Sequence, residues 1–192
     1  KYATNTSGSW VTTTLDSYGN AGEYSSIALD TSGNAHISYS DNGNNDLKYA
    51  TNASGVWIKK TVDSSGDVSG YTSLALDAQD KAYISYMSEY SILRYATNAS
   101  GSWVMDTVDS SEYVGEYPSL ALDSADHAHI SYSGYNSNLQ YTTNASGAWV
   151  TTTVDSYGSN QTSLALDTAG HVHISYRRGD YILKYATNAS GA

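Results

Sequence analysis

Apolar and polar residues alternate along this chain in short bursts. In residues 26–30 (SIALD), Ile27 and Leu29 fall on one side and the polar residues on the other. In residues 35–39 (AHISY), Ala35, Ile37 and Tyr39 share a face. A period of two is the mark of a β-strand, and no stretch holds a 3.6-residue period for ten residues, so helices are not expected. Each burst runs about five to seven residues, is rich in Val, Ile, Thr, Tyr and Trp, and ends in Gly, Asn, Ser or Asp.

The bursts recur in a fixed order. Tyr2, Tyr49, Tyr95, Tyr141 and Tyr185 are spaced by 47, 46, 46 and 44 residues, and Trp10, Trp57, Trp103 and Trp149 keep the same step. Each unit holds a segment A (SIALD or SLALD), a segment B (AHISY, AYISY or VHISY), a segment C (LKYATN-like) and a segment D (WVTTTVD-like). Four strands in about 46 residues is the size of a β-propeller blade. The expected fold is therefore all-β, a propeller of four-stranded antiparallel blades. Counted from the start of segment C, the units are 1–47, 48–93, 94–139 and 140–183, with 184–192 opening a fifth. Four A, four B and four D segments stand against five C segments. The odd C segment reads as part of a longer repeat array; pairing with other copies, or a four-bladed ring with a loose end strand, are the alternatives.

The turns carry their own chemistry. DTSGN (residues 30–34) and its copies form a tight A–B turn, in which Gly33 and Gly170 take a positive φ. Asp80 and Asp126 stand at that position in the other copies, and Asp tolerates the left-handed region better than most residues. TNASG turns segment C into segment D.

ALDTAGHVHISY followed by LKYATN resembles the blades of bacterial and archaeal extracellular propellers of the NHL-like and surface-layer type. That resemblance spans the whole chain on short structural motifs, and it implies the propeller fold and no functional residue. TNASGSW is similar to the Asp-box turn of sialidase-type propellers, but the Asp of that motif is replaced by Ala53, Ala99, Ala145 and Ala189.

Composition narrows the function. The formal charge is −10, with only nine Lys plus Arg against nineteen Asp plus Glu. Nucleic acid and anionic membrane surfaces are poor partners for such a chain. No apolar run reaches a membrane-spanning length, so no membrane insertion is expected. The absence of cysteine excludes a disulfide framework and thiolate chemistry. Phe is also absent, while there are nineteen Tyr and four Trp, so the core must use Tyr and Trp rings beside Val, Ile, Leu and Ala.

The copies differ mainly in two loops. B–C loops read SDNGNND, MSEYSI, SGYNSN and RRGDYI; D–A loops read SYGNAGEY, SSGDVSGY, SSEYVGEY and SYGSNQT. Propeller topology puts both sets at one end, where binding residues on a rigid scaffold tend to lie. That end carries Tyr18, Tyr24, Tyr71, Tyr90, Tyr113, Tyr117, Tyr135, Tyr157 and Tyr181 among small polar residues and carboxylates, a composition suited to glycans or protein partners. Tyr2, Tyr39, Tyr49 and their copies sit at repeated strand positions and are read as core.

Other candidates read as structural. His36, His129 and His173, with Tyr83 in the remaining copy, share a strand position and are expected to be satisfied strand residues rather than metal ligands. His127 and His171 are placed in solvent at the A–B turn. The four Trp are packing anchors. Asp41, Asp46, Asp67, Glu89, Glu112, Glu116 and Asp180 show no calcium-loop spacing, so no metal or cofactor is assigned. No nucleophile elbow, phosphate loop or HExxH occurs, and three arginines, two of them adjacent, are a poor basis for a sialidase-type centre. N-x-S recurs at Asn5, Asn52, Asn98, Asn144 and Asn188, with N-Q-T at Asn160; these are possible N-glycosylation sites and also good turns in their own right. The sequence thus predicts a non-catalytic extracellular or cell-surface module that binds glycans or proteins through its Tyr-rich loop face. The alternative is a structural repeat of a surface layer, sheath or filament, self-associating through its end strands.

Overall fold

The computed structural model describes the whole chain apart from residues 69, 89–91, 158 and 190–192. Among the described residues, seventeen strands form five antiparallel sheets. Strands β1 (Tyr2–Thr4) and β2 (Val11–Thr13) make a two-stranded sheet. The first complete sheet contains β3 (Ala21–Leu29), β4 (Ala35–Asp41), β5 (Asp46–Thr51) and β6 (Ile58–Asp63). The second contains β7 (Thr72–Leu76), β8 (Ala82–Ser88), β9 (Ile92–Thr97) and β10 (Val104–Asp109). The third contains β11 (Glu116–Leu122), β12 (Ala128–Ser133), β13 (Leu139–Thr143) and β14 (Val150–Asp155). A three-stranded sheet of β15 (Ser159–Leu166), β16 (Val172–Arg178) and β17 (Leu183–Thr187) follows. Each sheet is a meander in chain order, as a propeller blade requires. The sheets begin on segment A, two strands out of phase with the repeat counted from Lys1.

Segments A are the inner strands. β3 lies against β7, β7 against β11, and β11 against β15. The serine that opens each SLALD explains its own recurrence. Ser26 Oγ accepts the Leu74 N–H at 3.0 Å, Ser73 Oγ the Leu120 N–H at 3.1 Å, and Ser119 Oγ the Leu164 N–H at 2.9 Å. The inner strands are thereby tied blade to blade. The closing Asp of SLALD builds the A–B turn: Asp30 Oδ1 accepts the N–H groups of Ser32 and Asn34, and Asp77, Asp123 and Asp167 do the same in their copies. At the expected position Gly33 has φ +81° and Gly170 +83°, while Asp80 and Asp126 adopt +61° and +63°.

The core lies between blades. Leu47, Tyr49 and Val62 of the first complete sheet pack on Leu74, Ile84, Tyr86 and Ala96 of the second, and the pattern repeats at the next interfaces. Each fully buried aliphatic side chain contributes about 1.5–3 kcal/mol. Tyrosine fills the place of the missing Phe: Tyr39, Tyr49, Tyr83, Tyr86, Tyr95, Tyr132 and Tyr176 are all buried. Edge-on pairs Tyr2–Trp57, Tyr49–Trp103 and Tyr95–Trp149, with ring centroids 5.1–5.2 Å apart, join a strand C to the tryptophan of the next blade. Trp10 departs from the packing role and is 74% exposed; Tyr185, on the last strand C, is 62% exposed.

A second bond crosses each interface. The hydroxyl of the last strand-B tyrosine donates to the Asp that ends the preceding strand D: Tyr39 to Asp16 at 3.0 Å, and Tyr86 to Asp63, Tyr132 to Asp109 and Tyr176 to Asp155 at 2.6 Å each. Arg94 adds a 2.6 Å ion pair to Asp63. Burial alone would raise these carboxyls, but the donated hydrogen bonds win and hold Asp16, Asp63 and Asp109 below the ordinary value. The Tyr176 bond, the largest influence on Asp155, brings it to about 2.

Candidate functional site

The loop end gathers some of the predicted tyrosines and scatters others. Tyr24, Tyr71 and Tyr117 stand three residues before the first large apolar residue of strands β3, β7 and β11, and so arrive together at the inner strands. Their rings form a row: Tyr24 and Tyr71 have centroids 4.3 Å apart, as do Tyr71 and Tyr117. The fourth copy has Gln161. With Ser25, Thr72, Pro118 and Thr162 these residues line an open cavity of about 260 Å³.

The backbone is bent to achieve this. Register slips occur in β3 between Glu23 and Ser26, in β11 between Glu116 and Ser119, and in β15 between Asn160 and Thr162. At these bulges Tyr24 has φ +49°, Tyr117 +50° and Gln161 +60°. A bulky residue in the left-handed region is strained, and bulges re-aim side chains next to functional sites. Neighbouring threonines brace the bend: Thr72 Oγ1 donates to the Tyr24 carbonyl at 2.9 Å, and Thr162 Oγ1 to the Tyr117 carbonyl at 3.0 Å. Burial, then the hydrogen bond and charge of Tyr117 and the charges of Tyr24 and Glu116, push the Tyr71 phenol well above its ordinary value. The centre of the cup therefore presents the neutral Tyr71 hydroxyl amid ring surface.

Tyr18, Tyr113, Tyr157 and Tyr181 lie outside the cup as exposed loop residues, as does the exposed Tyr135, which opens a single 3-10 turn (Tyr135–Ser137). Tyr157 is covered by Arg178, whose guanidinium carbon is 4.9 Å from the ring centroid, and Tyr181 by Arg177 at 4.4 Å. Tyr157, Ser156, Arg178, Gly179 and Asp180 line a shallow cleft between the third complete sheet and the last one. Tyr90 lies outside the described residues, as does Glu89. Sequence reasoning passed over Gln161, Pro118 and the positive-φ bulges. The fixed offset from SLALD was the available signal for the first two; the backbone twist has no letter in the sequence.

At the opposite end the histidines are structural. Nδ1 of His36 meets the Tyr49 hydroxyl and Nε2 lies 3.4 Å from Asp30. His129 repeats this with Tyr141 at 2.6 Å and Asp123 at 3.4 Å, and Tyr83 replaces the ring by donating to Asp77 at 3.0 Å. His127 and His171 are not merely solvated. Each bonds its own turn aspartate, Asp123 or Asp167, at 2.9 Å. Burial raises Asp123, but the bonds from His127 and the turn N–H groups outweigh it and bring it to about 2. The recurrent Asn is structural as well, since Oδ1 of Asn52, Asn98, Asn144 and Asn188 accepts the N–H that opens the adjacent strand B at 2.7–2.8 Å. Among the described residues no three His, Asp or Glu side chains come together as a metal site.

No protein-family model matches the chain, and no curated protein does. Solved structures do. A variant of the Aleuria aurantia lectin in complex with alpha-methyl-L-fucoside superposes with a TM-score of 0.64 at 15% identity, over 95% of this chain and 64% of the lectin. The SapL1 lectin in complex with alpha methyl fucoside gives 0.64 at 10% identity, over 86% of this chain and 60% of that one. The GH93 alpha-L-arabinofuranosidase of Fusarium graminearum, in complex with arabinobiose, gives 0.61 at 11% identity, over 88% and 62%. The chain thus spans under two thirds of each of these structures. At such identities the likeness concerns the fold: the chain is built as a β-propeller, the fold that the resemblance to NHL-like blades implied.

Proposed function

We propose that this protein is a non-catalytic carbohydrate-binding module of the cell exterior, with the axial tyrosine cup as the centre of its loop-face site. The convergence of three rings, Tyr24 and Tyr117 from strained bulges and Tyr71 from the start of β7, carries this reading. Rigid phenol rings offer flat surface to the C–H face of a sugar, and their hydroxyls, with the Gln161 amide, offer hydrogen bonds to its hydroxyl groups. Two of the similar structures are lectins seen with fucosides, which supports a sugar ligand; the arabinofuranosidase makes hydrolysis the control to run. Titration calorimetry against a panel of oligosaccharides should find binding that Tyr71→Ala removes while the fold, followed by circular dichroism, persists. No binding across the panel, or release of reducing sugar, would refute the reading.

Assembly is the second reading, and one observation favours it. Leu183 is 80% exposed, whereas Leu47, Leu93 and Leu139 at the same place are fully covered by the next blade. Between the two-stranded sheet and β3–β4, a cleft of about 210 Å³ lined by Tyr2, Leu15, Ile27, Ile37 and Tyr39 lies where strands A and B sit in the other sheets. Both surfaces match a further blade of the same kind, from this chain's own protein or from a second copy. Sedimentation of the 192-residue chain should show concentration-dependent association if copies supply it, and a constant monomer if they do not.

A further inference from the structure

The axial cup has a second property, and its meaning rests on the glycan reading. Glutamates immediately precede two of its rings, Glu23 before Tyr24 and Glu116 before Tyr117. Both Glu23 oxygens are held by neutral amides, Oε1 by Asn20 at 3.0 Å and Oε2 by Asn42 at 2.7 Å. Amides orient a carboxylate and leave its charge in place. Glu116 is exposed and close enough to Tyr71 for its charge to act on that phenol. The cations of this end have other neighbours: Lys48 pairs with Asp46, Lys59 with Asp16, Arg94 with Asp63, Arg178 with Asp180 and Lys184 with Asp155, and Arg177 lies over the Tyr181 ring. Among the described residues neither glutamate has an ion-pair partner, in a chain of net charge −10. Three electron-rich ring faces flanked by unneutralised carboxylates attract positive charge and repel negative charge.

We propose that the axial cup selects a cationic sugar, an amino sugar with a free ammonium group, over its N-acetylated or neutral counterpart. The pyranose C–H face rests on the tyrosine rings while the ammonium group stands over a ring and beside Glu116, with Glu23 adding to the field. Neutral glycans use the rings alone. Acidic glycans are disfavoured by the same carboxylates.

Calorimetry with the glucosamine trimer, the N-acetylglucosamine trimer and a neutral glucose trimer tests this on the intact chain. The expected result is about tenfold tighter binding of the free-amine trimer, a preference that shrinks with added salt. The double variant Glu23→Gln, Glu116→Gln should lose the preference and keep its affinity for the N-acetylated trimer. Both substitutions preserve shape at solvent-facing positions, and Glu23→Gln gives up one exposed bond accepted from an Asn amide, so thermal melting should drop only slightly. If the trimers bind alike, or if the preference survives in the double variant, the inference falls and the glycan reading stands. If no sugar binds the wild-type chain, both fall together.

Discussion

The tyrosines that recur from blade to blade have three main uses, set by the position each one holds. On strand B it crosses a blade interface to an aspartate, on strand C it packs on the next tryptophan, and at the strand A bulge it lines the cup. The first use is the easiest to weigh. Tyr132→Phe keeps the buried ring and removes the donor to Asp109, leaving a partly buried carboxylate short of a partner. A loss of about 1–3 kcal/mol is expected in urea unfolding. Tyr157→Phe, at an exposed ring whose face is covered by Arg178, should stay within about 0.5 kcal/mol of wild type. Equal effects would show that the interface bond is ornamental. The turn position occupied by Gly33 offers a gain instead of a loss. Asp126 holds φ +63° there. Asp126→Gly removes a left-handed penalty of roughly 1–2 kcal/mol at some cost in unfolded-chain entropy, so a net gain of up to about 1 kcal/mol is expected in the same assay.

Among the elements, legibility followed repetition. Strand order, the five C segments, the two tight turns and the Tyr and Trp core could all be read from the chain, because each is dictated by local periodicity or by a residue that must take positive φ. What escaped is what two blades make together. The serine of SLALD, the Asp that ends strand D and the Asn of TNASG carry no sign of their partners in the sequence, because those partners lie on another strand or in the next blade. For the site, the loop face was legible and its centre was not. Nine tyrosines read alike in sequence, and only the bulges of β3 and β11 and the arrival of β7 sort three of them into the cup. Trp10 shows the same limit: it shares the SGSWV context of Trp103, but among the described residues no strand C tyrosine packs on it. Trp103→Ala should therefore cost about 3 kcal/mol or more in thermal or urea unfolding, and Trp10→Ala less than about 0.5. Similar costs at both positions would mean that Trp10 is covered in solution.

Across the whole molecule, stability is distributed over interfaces that share one chemistry, and this gives the protein a characteristic response to acid. Every blade interface has an aspartate at the end of strand D, and the A–B turns of the third complete sheet and the last sheet have Asp123 and Asp167. Asp16, Asp63, Asp109 and Asp167 sit below the ordinary carboxylate value of 3.8 in the fold, and Asp123 and Asp155 sit at about 2. In the unfolded chain they return to the ordinary value. Above about pH 5 both states are ionised and the contribution to stability is complete. As the pH falls from about 4 towards 2, the unfolded chain takes up protons that the fold still refuses, and stability drains away from several interfaces at once. Melting temperature should therefore be level from neutral pH to about 5 and fall steeply below 4. Asp155→Asn removes one of the groups that drives the fall, so the variant should start lower at neutral pH and lose less on acidification. A wild-type curve flat down to about pH 2, or a variant curve parallel to wild type, would remove the interface aspartates from this account.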